Sequence, residues 1–364
     1  MSGKIVLFGA TGYTGELTAR ELVGQGATPL LAARSQDRVA ALGLELGLES
    51  AVADVADPAS IASLLNRGDV LLTTVGPFTR LGRPALDASV SKGAHYLDST
   101  GEPSWIHSTF DRDSEFRSAD IAALTAFGYD YVPGNLAAGL VLDRASSQVS
   151  RVDIGYFLTG KSRPSGGTAA SLGAAMLEPG FEWSNGRLVS RRAAAAARKF
   201  STSAGERSAI SLGGSENIAI PRIAPQVRDV RTYLGWIGPT TAPVRAFSAG
   251  IAGVTKIPGA RQLIGAGLNR VLPGSTGGPD LKERDNSGTI VIAEAYGAND
   301  QLVERVELTG RNAYDLTAGF LAEAARALVA GSVHARGALG PVEALGLNEL
   351  QSACKRSGLL ELTS

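Results

Sequence analysis

Residues 9–15 read Gly-Ala-Thr-Gly-Tyr-Thr-Gly, with glycine at every third position, between the apolar run Lys4–Phe8 and the helix-patterned run Glu16–Gly24. A turn of this composition, directly after a strand patterned for burial on both faces, narrows what the chain can be more than any other feature. Gly9 permits the tight turn, Gly12 lets the backbone come close to a diphosphate, and Gly15 lets the following helix pack on the strand. The N–H groups at the helix start, around Tyr13 and Thr14 with Thr11 beside them, then point at the phosphates and are reinforced by the helix dipole. The spacing is Gly-x-x-Gly-x-x-Gly, longer in its first step than the common dehydrogenase fingerprint.

The pattern behind the turn repeats. Runs at 28–33, 50–55, 70–75, 95–99 and 122–127 alternate with helical stretches such as 57–67 and 82–93. Strand, helix and strand at this rhythm predict an α/β fold whose first third is a right-handed, parallel, Rossmann-type sheet. In such sheets ligands lie at the carboxyl ends of the strands.

The end of the second strand selects the coenzyme. An NAD site usually offers a carboxylate to the ribose 2′-hydroxyl. Here Ala33 is followed by Arg34 and Ser35, and the first carboxylate is Asp37. Arg34 can pair with a 2′-phosphate and stack on adenine, and Ser35 can donate to the same phosphate, so the expected cofactor is NADP(H). Asp54, closing the third strand, is placed to accept from the adenine amino group. Gly76, Pro77 and Phe78 follow the fourth strand, with Phe78 expected to project from the turn. Asp98, Ser99, Thr100 and Glu102 follow the fifth, where the nicotinamide end belongs.

A chain of 364 residues suits two domains. Lys plus Arg and Asp plus Glu number 35 each, which argues against a nucleic-acid partner held by gross positive charge. Cys354 is the single cysteine and the three histidines show no ligand spacing, so neither an intrachain disulfide nor a metal centre is expected. The N-terminus lacks the pattern of a secretory leader, and no run approaches the roughly 20 apolar residues of a membrane span, so a cytoplasmic location is expected.

Past Asn135 the rhythm changes. A helix over 136–148 leads to a strand over 151–159 and a polar turn whose Ser165, Gly167 and Thr168 could clamp an anion or carbonyl, or merely cap a helix. Stretches 206–213, 290–297 and 302–310 predict a mostly antiparallel sheet, the last two joined by the hairpin signal Gly-Ala-Asn-Asp. Residues 246–274 are apolar and glycine-rich with dispersed Lys256, Arg261 and Arg270. They suit an acyl pocket, a dimer surface or a peripheral membrane contact, and Pro258 and Pro273 interrupt any spanning helix. The arginine- and alanine-rich run 191–200 reads as an exposed basic segment or a disordered loop.

At GATGYTG (9–15), GPFTRLGRPALDASVSKGAHYLDSTGE (76–102) and GYDYVPGNLAAGLVLD (128–143) the chain resembles the saccharopine-dehydrogenase-like reductases. Among these it is most similar to the actinobacterial branch of trans-acting enoyl reductases of polyketide lipid synthesis. The resemblance implies an NADPH-binding Rossmann domain at 1–134 and a second α+β domain for substrate and dimerisation at 135–312. A C-terminal helical segment, 313–364, would dock back on the first domain. It assigns the pyrophosphate to Gly9, Thr11, Gly12, Tyr13, Thr14 and Gly15, the adenosine phosphate to Arg34 and Ser35, and the nicotinamide ribose to Gly76, Pro77 and Phe78. The chain departs from the family pattern Gly-Phe-Asp-Ser-Val-Pro-Ser-Asp, carrying Tyr131 in place of the serine and Asn135 in place of the final aspartate.

A bound nicotinamide implies hydride transfer, with the protein supplying position and electrostatics. No tyrosine has lysine four residues later, so the short-chain reductase proton donor is excluded. An activated C=C or C=N can accept hydride with little acid–base help. Tyr131 is the preferred proton donor, with Asp130, Asp98 and Glu102 as alternatives. The leading reading is a reductase of an α,β-unsaturated acyl thioester or enone, acting as a homodimer. An imine-reducing dehydrogenase and a non-catalytic NADPH-binding module are the alternatives.

Overall fold

The computed structural model describes residues 3–161, 163–166, 179–235 and 277–362. The chain divides into two compact units. The first comprises Met1–Thr100, Trp105–Val132 and Tyr314–Ser357; the second comprises Gly101–Ser104, Pro133–Ala313 and Gly358–Ser364.

The first unit is built on a seven-stranded, wholly parallel sheet. Its strands are β1 (Ile5–Phe8), β2 (Leu30–Ala33), β3 (Ser50–Val52), β4 (Val70–Thr73), β5 (His95–Asp98), β6 (Ala122–Leu124) and the short Gly337–Ala338. Side chains of β1, β4, β5 and β6 are buried throughout, as expected of central strands covered on both faces. Each buried Leu, Ile, Val or Phe there contributes about 1.5–3 kcal/mol of hydrophobic stabilisation. The order runs β6-β5-β4-β1-β2-β3, so the chain builds outward from β1 to β3 and then restarts at β4 on the other side. This reversal opens a crevice beyond the carboxyl ends of β1 and β4.

Within the C-terminal segment, Tyr314–Ser357 complete this unit, whereas Gly358–Ser364 belong to the second. Helix Ala313–Val329 buries Leu316, Phe320, Leu321 and Leu328, and Gly337–Ala338 adds a parallel strand beside β6. Gly319 is required where the helix meets Ser357, since a Cβ there would lie 2.8 Å from that side chain.

The second unit carries a nine-stranded mixed sheet. Strands β7 (Arg151–Gly160), β8 (Pro179–Ser184), β9 (Arg187–Arg192), β10 (Ala197–Thr202), β11 (Gly205–Ser211), β12 (Asp229–Leu234), β13 (Ser287–Tyr296) and β14 (Leu302–Gly310) are joined by Leu359–Glu361. Its pairings are antiparallel except β12 with β7, and the expected hairpin connects β13 to β14. Phe157, Phe200, Ala209, Tyr233, Ile290 and Ile292 form a core cluster, with Phe200 edge-on to both Phe157 and Tyr233.

The run 191–200, expected to be exposed or disordered, instead supplies the end of β9 and the start of β10, with Ala193 and Ala194 buried. Arg198 bonds to both Asp153 and Glu294. Those carboxylates stand directly opposite one another on β7 and β13, so the guanidinium offsets a repulsion that would otherwise destabilise the pair. Gly167, Thr168 and the stretch 246–274 lie outside the described residues.

Candidate functional site

The glycine turn has the stereochemistry its spacing required. Gly9 has φ +92°, and a Cβ on it would sit 2.8 Å from both Thr74 Oγ1 and Val75 Cγ2. The turn is closed by Gly9 N–H donating to Ala32 O at 2.8 Å and Gly12 N–H to Gly9 O at 2.9 Å. Gly15, in helix α1 (Tyr13–Gly24), lies so close that a Cβ would reach 2.1 Å from Gly9 O. Both ends of the motif therefore exclude side chains for reasons internal to the protein.

Gly12 differs. A Cβ there would meet Gly9 O at 3.3 Å and nothing else within 4 Å, so most of the space kept clear faces away from the protein. Gly12 is also the N-cap of α1, and no side chain caps that helix end. The first-turn N–H groups have no intrahelical carbonyl to meet. An uncapped helix start behind a side-chain-free turn fits a diphosphate.

The adenosine side is set by helix α2 (Gln36–Leu46), which begins after β2. Arg34 is exposed, and no carboxylate among the described residues pairs with it. Ser35 is the N-cap residue but its hydroxyl makes no capping bond, which leaves it available to a phosphate. Arg38, one turn into α2, donates from Nη2 to Thr11 O at 2.7 Å and ties the adenosine side to the glycine turn. Asp54 is half-buried and accepts from Ala56 N–H at 2.9 Å, so part of its carboxylate is spent within its own turn.

The loops after β4, β5 and β6 leave neighbouring strands at one edge of the sheet. Gly76 is exposed and its bond to Pro77 is cis. Phe78, expected to project from this turn, is instead buried against Trp105, with ring centroids 6.3 Å apart. Phe78 thus braces the loop, and Gly76 and Pro77 form its accessible rim.

Asp98, at the end of β5, is fully buried. Its Oδ1 accepts from Thr100 N–H at 3.0 Å and Ala126 N–H at 2.9 Å, and its Oδ2 from Trp105 Nε1 at 2.8 Å; the Thr125 hydroxyl bonds to the same carboxylate. Burial raises its pKa, while the hydrogen bonds pull the other way. A carboxylate so enclosed joins β5, the loop after β6 and Trp105; it is an anchor of the site's floor. Thr100 and Glu102 are buried beside it in sequence.

The segment 128–131 follows β6. Tyr129 N–H donates to Thr317 Oγ1 at 3.0 Å, Tyr131 N–H to Ala126 O at 3.0 Å and Val132 N–H to Gly128 O at 3.0 Å. Tyr131, the donor preferred from sequence, is completely buried. Asp130 retains some surface, yet its Oδ1 is enclosed with no hydrogen-bond partner. Desolvation alone pushes its pKa up to about 8.

Sequence reasoning missed a buried polar cluster in the second unit. Tyr156 hydroxyl bonds to Glu216 and accepts from Gly134 N–H at 2.9 Å, and Asn135 Nδ2 donates to Ser215 Oγ at 3.0 Å. Gly134 is obligatory, since a Cβ would lie 2.1 Å from Tyr156 Oη. The departure at Asn135, which stands in place of the family's final aspartate, was the available signal. Among the described residues no group of His, Cys, Asp and Glu could hold a metal, and no helix is long and apolar enough to cross a membrane.

A parallel sheet with a glycine cradle at its switch point defines the Rossmann-type dinucleotide-binding proteins. Residues 5–124 match the family described as the saccharopine dehydrogenase NADP binding domain, and the cofactor of this domain is NADP(H). A trans-acting enoyl reductase of Mycobacterium tuberculosis is 38% identical over 141 residues, covering 36% of this chain and 34% of the relative. One from Mycobacterium leprae is 33% identical over 185 residues, covering 48% and 44%. The first of these matches spans about a third of its relative's length. The solved structure of saccharopine dehydrogenase (L-Glu forming) from Saccharomyces cerevisiae superposes with a TM-score of 0.63 over the whole of both chains at 13% identity, which shows a shared fold.

Proposed function

We propose that the chain is an NADPH-dependent oxidoreductase that reduces the activated C=C bond of an α,β-unsaturated acyl thioester or enone. The observation that carries the reading is the cradle itself: a side-chain-free turn at an uncapped helix start, with exposed Arg34 and uncommitted Ser35 where a 2′-phosphate belongs. When bound, the coenzyme supplies hydride. Gly9–Gly15 fix its diphosphate, Arg34 and Ser35 select the phosphorylated ribose, and the rim Gly76–Pro77 borders the nicotinamide end. The enoyl acceptor is supported by the mycobacterial relatives, which carry that activity in their names. An enoyl thioester suits a site without a tyrosine–lysine pair, because its own carbonyl takes up the developing charge.

The test is NADPH consumption by purified protein with enoyl thioesters, enones and oxo-acid/amine pairs. Loss of nicotinamide absorbance with the thioesters or enones is expected. Turnover confined to oxo-acid/amine pairs would replace the reading with imine reduction, and no turnover with any acceptor would remove it. The same reading takes the protein as a homodimer, which sedimentation of the purified chain tests.

A further inference from the structure

We infer that Asp130, in the loop after β6, is kept as a neutral carboxylic acid and is the proton source for the reduction; this rests on the enoyl-reductase reading above. The four candidate donors are Asp98, Glu102, Asp130 and Tyr131, and their surroundings separate them; Glu102 is wholly buried. Asp98 is wholly buried and its oxygens are taken by Thr100, Ala126, Trp105 and Thr125. Tyr131 is wholly buried. Asp130 alone of the four combines residual surface with an enclosed carboxyl oxygen that no protein group satisfies.

A buried, unpartnered polar atom costs about 1–3 kcal/mol, so such an atom calls for an explanation. The loop around it is not slack. Tyr129, Tyr131 and Val132 all commit their N–H groups to Thr317, Ala126 and Gly128, which holds the Asp130 backbone between fixed neighbours. Burial alone raises its pKa, and no charged side chain among the described residues contributes to the shift. Near neutral pH the group therefore holds a proton it can give.

The step balances as follows. A reduced nicotinamide held by Gly9–Gly15, Arg34 and Ser35 would supply hydride to one carbon of the double bond, and the π pair would move to the carbon beside the carbonyl. That carbon takes the carboxyl proton of Asp130; the O–H pair stays on the carboxylate, and water restores the proton.

Asp130→Asn mimics the neutral acid in shape and cannot titrate, so it separates charge from fold. Folding stability of both proteins is measured from about pH 5 to pH 8. A carboxyl with its pKa raised above the unfolded value of ~3.9 stabilises the fold at low pH and loses that contribution as pH rises toward the folded value. Relative to the variant, the wild type should lose about tenfold in its folding constant per pH unit across this window. Parallel profiles would overturn the neutral acid. With an accepted enoyl substrate, the variant's kcat should fall about 10²–10⁴-fold while NADPH affinity is kept; an unchanged kcat would overturn the proton-donor role. A pH-dependent difference in stability without turnover on any acceptor would instead sink the enzyme reading and leave the neutral acid standing.

Discussion

Tyr13 and Tyr314, from opposite ends of the chain, meet edge to face with ring centroids 5.1 Å apart and planes at 88°. Tyr13 opens α1, whose uncapped first turn is the proposed diphosphate site, and Tyr314 lies at the start of the helix Ala313–Val329. One turn further along that helix, Thr317 accepts from Tyr129 N–H. A single C-terminal helix thus braces both the phosphate turn and the loop that carries Asp130.

Tyr314→Ala should therefore weaken coenzyme binding without touching a coenzyme contact. A perpendicular aromatic pair contributes about 0.5–1.5 kcal/mol beyond its buried area. The melting temperature should fall and NADPH affinity should drop severalfold by calorimetry, whereas Tyr314→Phe should restore both. An alanine variant with unchanged affinity would show that the turn holds its shape unaided.

Arg34 gives the sharpest coenzyme test. A charge-assisted hydrogen bond contributes about 1.5–3 kcal/mol, which is roughly ten- to a hundredfold in affinity. Arg34→Gln should lose NADPH affinity by that factor and leave NADH affinity nearly unchanged, since the 2′-phosphate is the difference between them. Equal losses for the two coenzymes would place Arg34 outside the phosphate site.

These features were legible because they are local. A glycine whose Cβ would strike its own turn, and an arginine where a carboxylate usually stands, are both written within a few residues of the motif. The second unit was less legible. Strands β8, β9 and β10 are rich in Arg and Ser, and their burial depends on cross-strand pairs such as Arg198 with Asp153 and Glu294, which no periodicity reveals. Asp98 was ambiguous for a related reason. A carboxylate ending a strand reads the same whether it faces a ligand or collects N–H groups from Thr100, Ala126 and Trp105.

That distinction is testable. Asp98→Asn replaces one carboxylate oxygen by an NH2 group facing donors, and each stranded donor costs about 1–3 kcal/mol. The urea midpoint should fall clearly, while the protein that remains folded should keep its NADPH affinity. A variant of native stability with lost turnover would instead make Asp98 a participant in the chemistry.

His95 supplies a pH dependence of opposite sign to that of Asp130. Its Nδ1 accepts from Ala122 N–H at 3.0 Å, tying β5 to β6, and can do so only while unprotonated. Burial lowers its pKa, Arg336 lowers it further, and Asp120 pulls weakly the other way. With the folded value below the unfolded ~6.5, the unfolded chain takes up the proton first. The stabilisation is therefore complete above about pH 6.5 and is lost as pH falls through the folded value. His95→Gln can present a non-titrating acceptor to the same N–H. Between about pH 7.5 and pH 5 the wild type should lose more stability than the variant in urea titrations. Asp130 titrates identically in both proteins, so it cancels from the difference, and equal losses would mean that His95 does not titrate with unfolding.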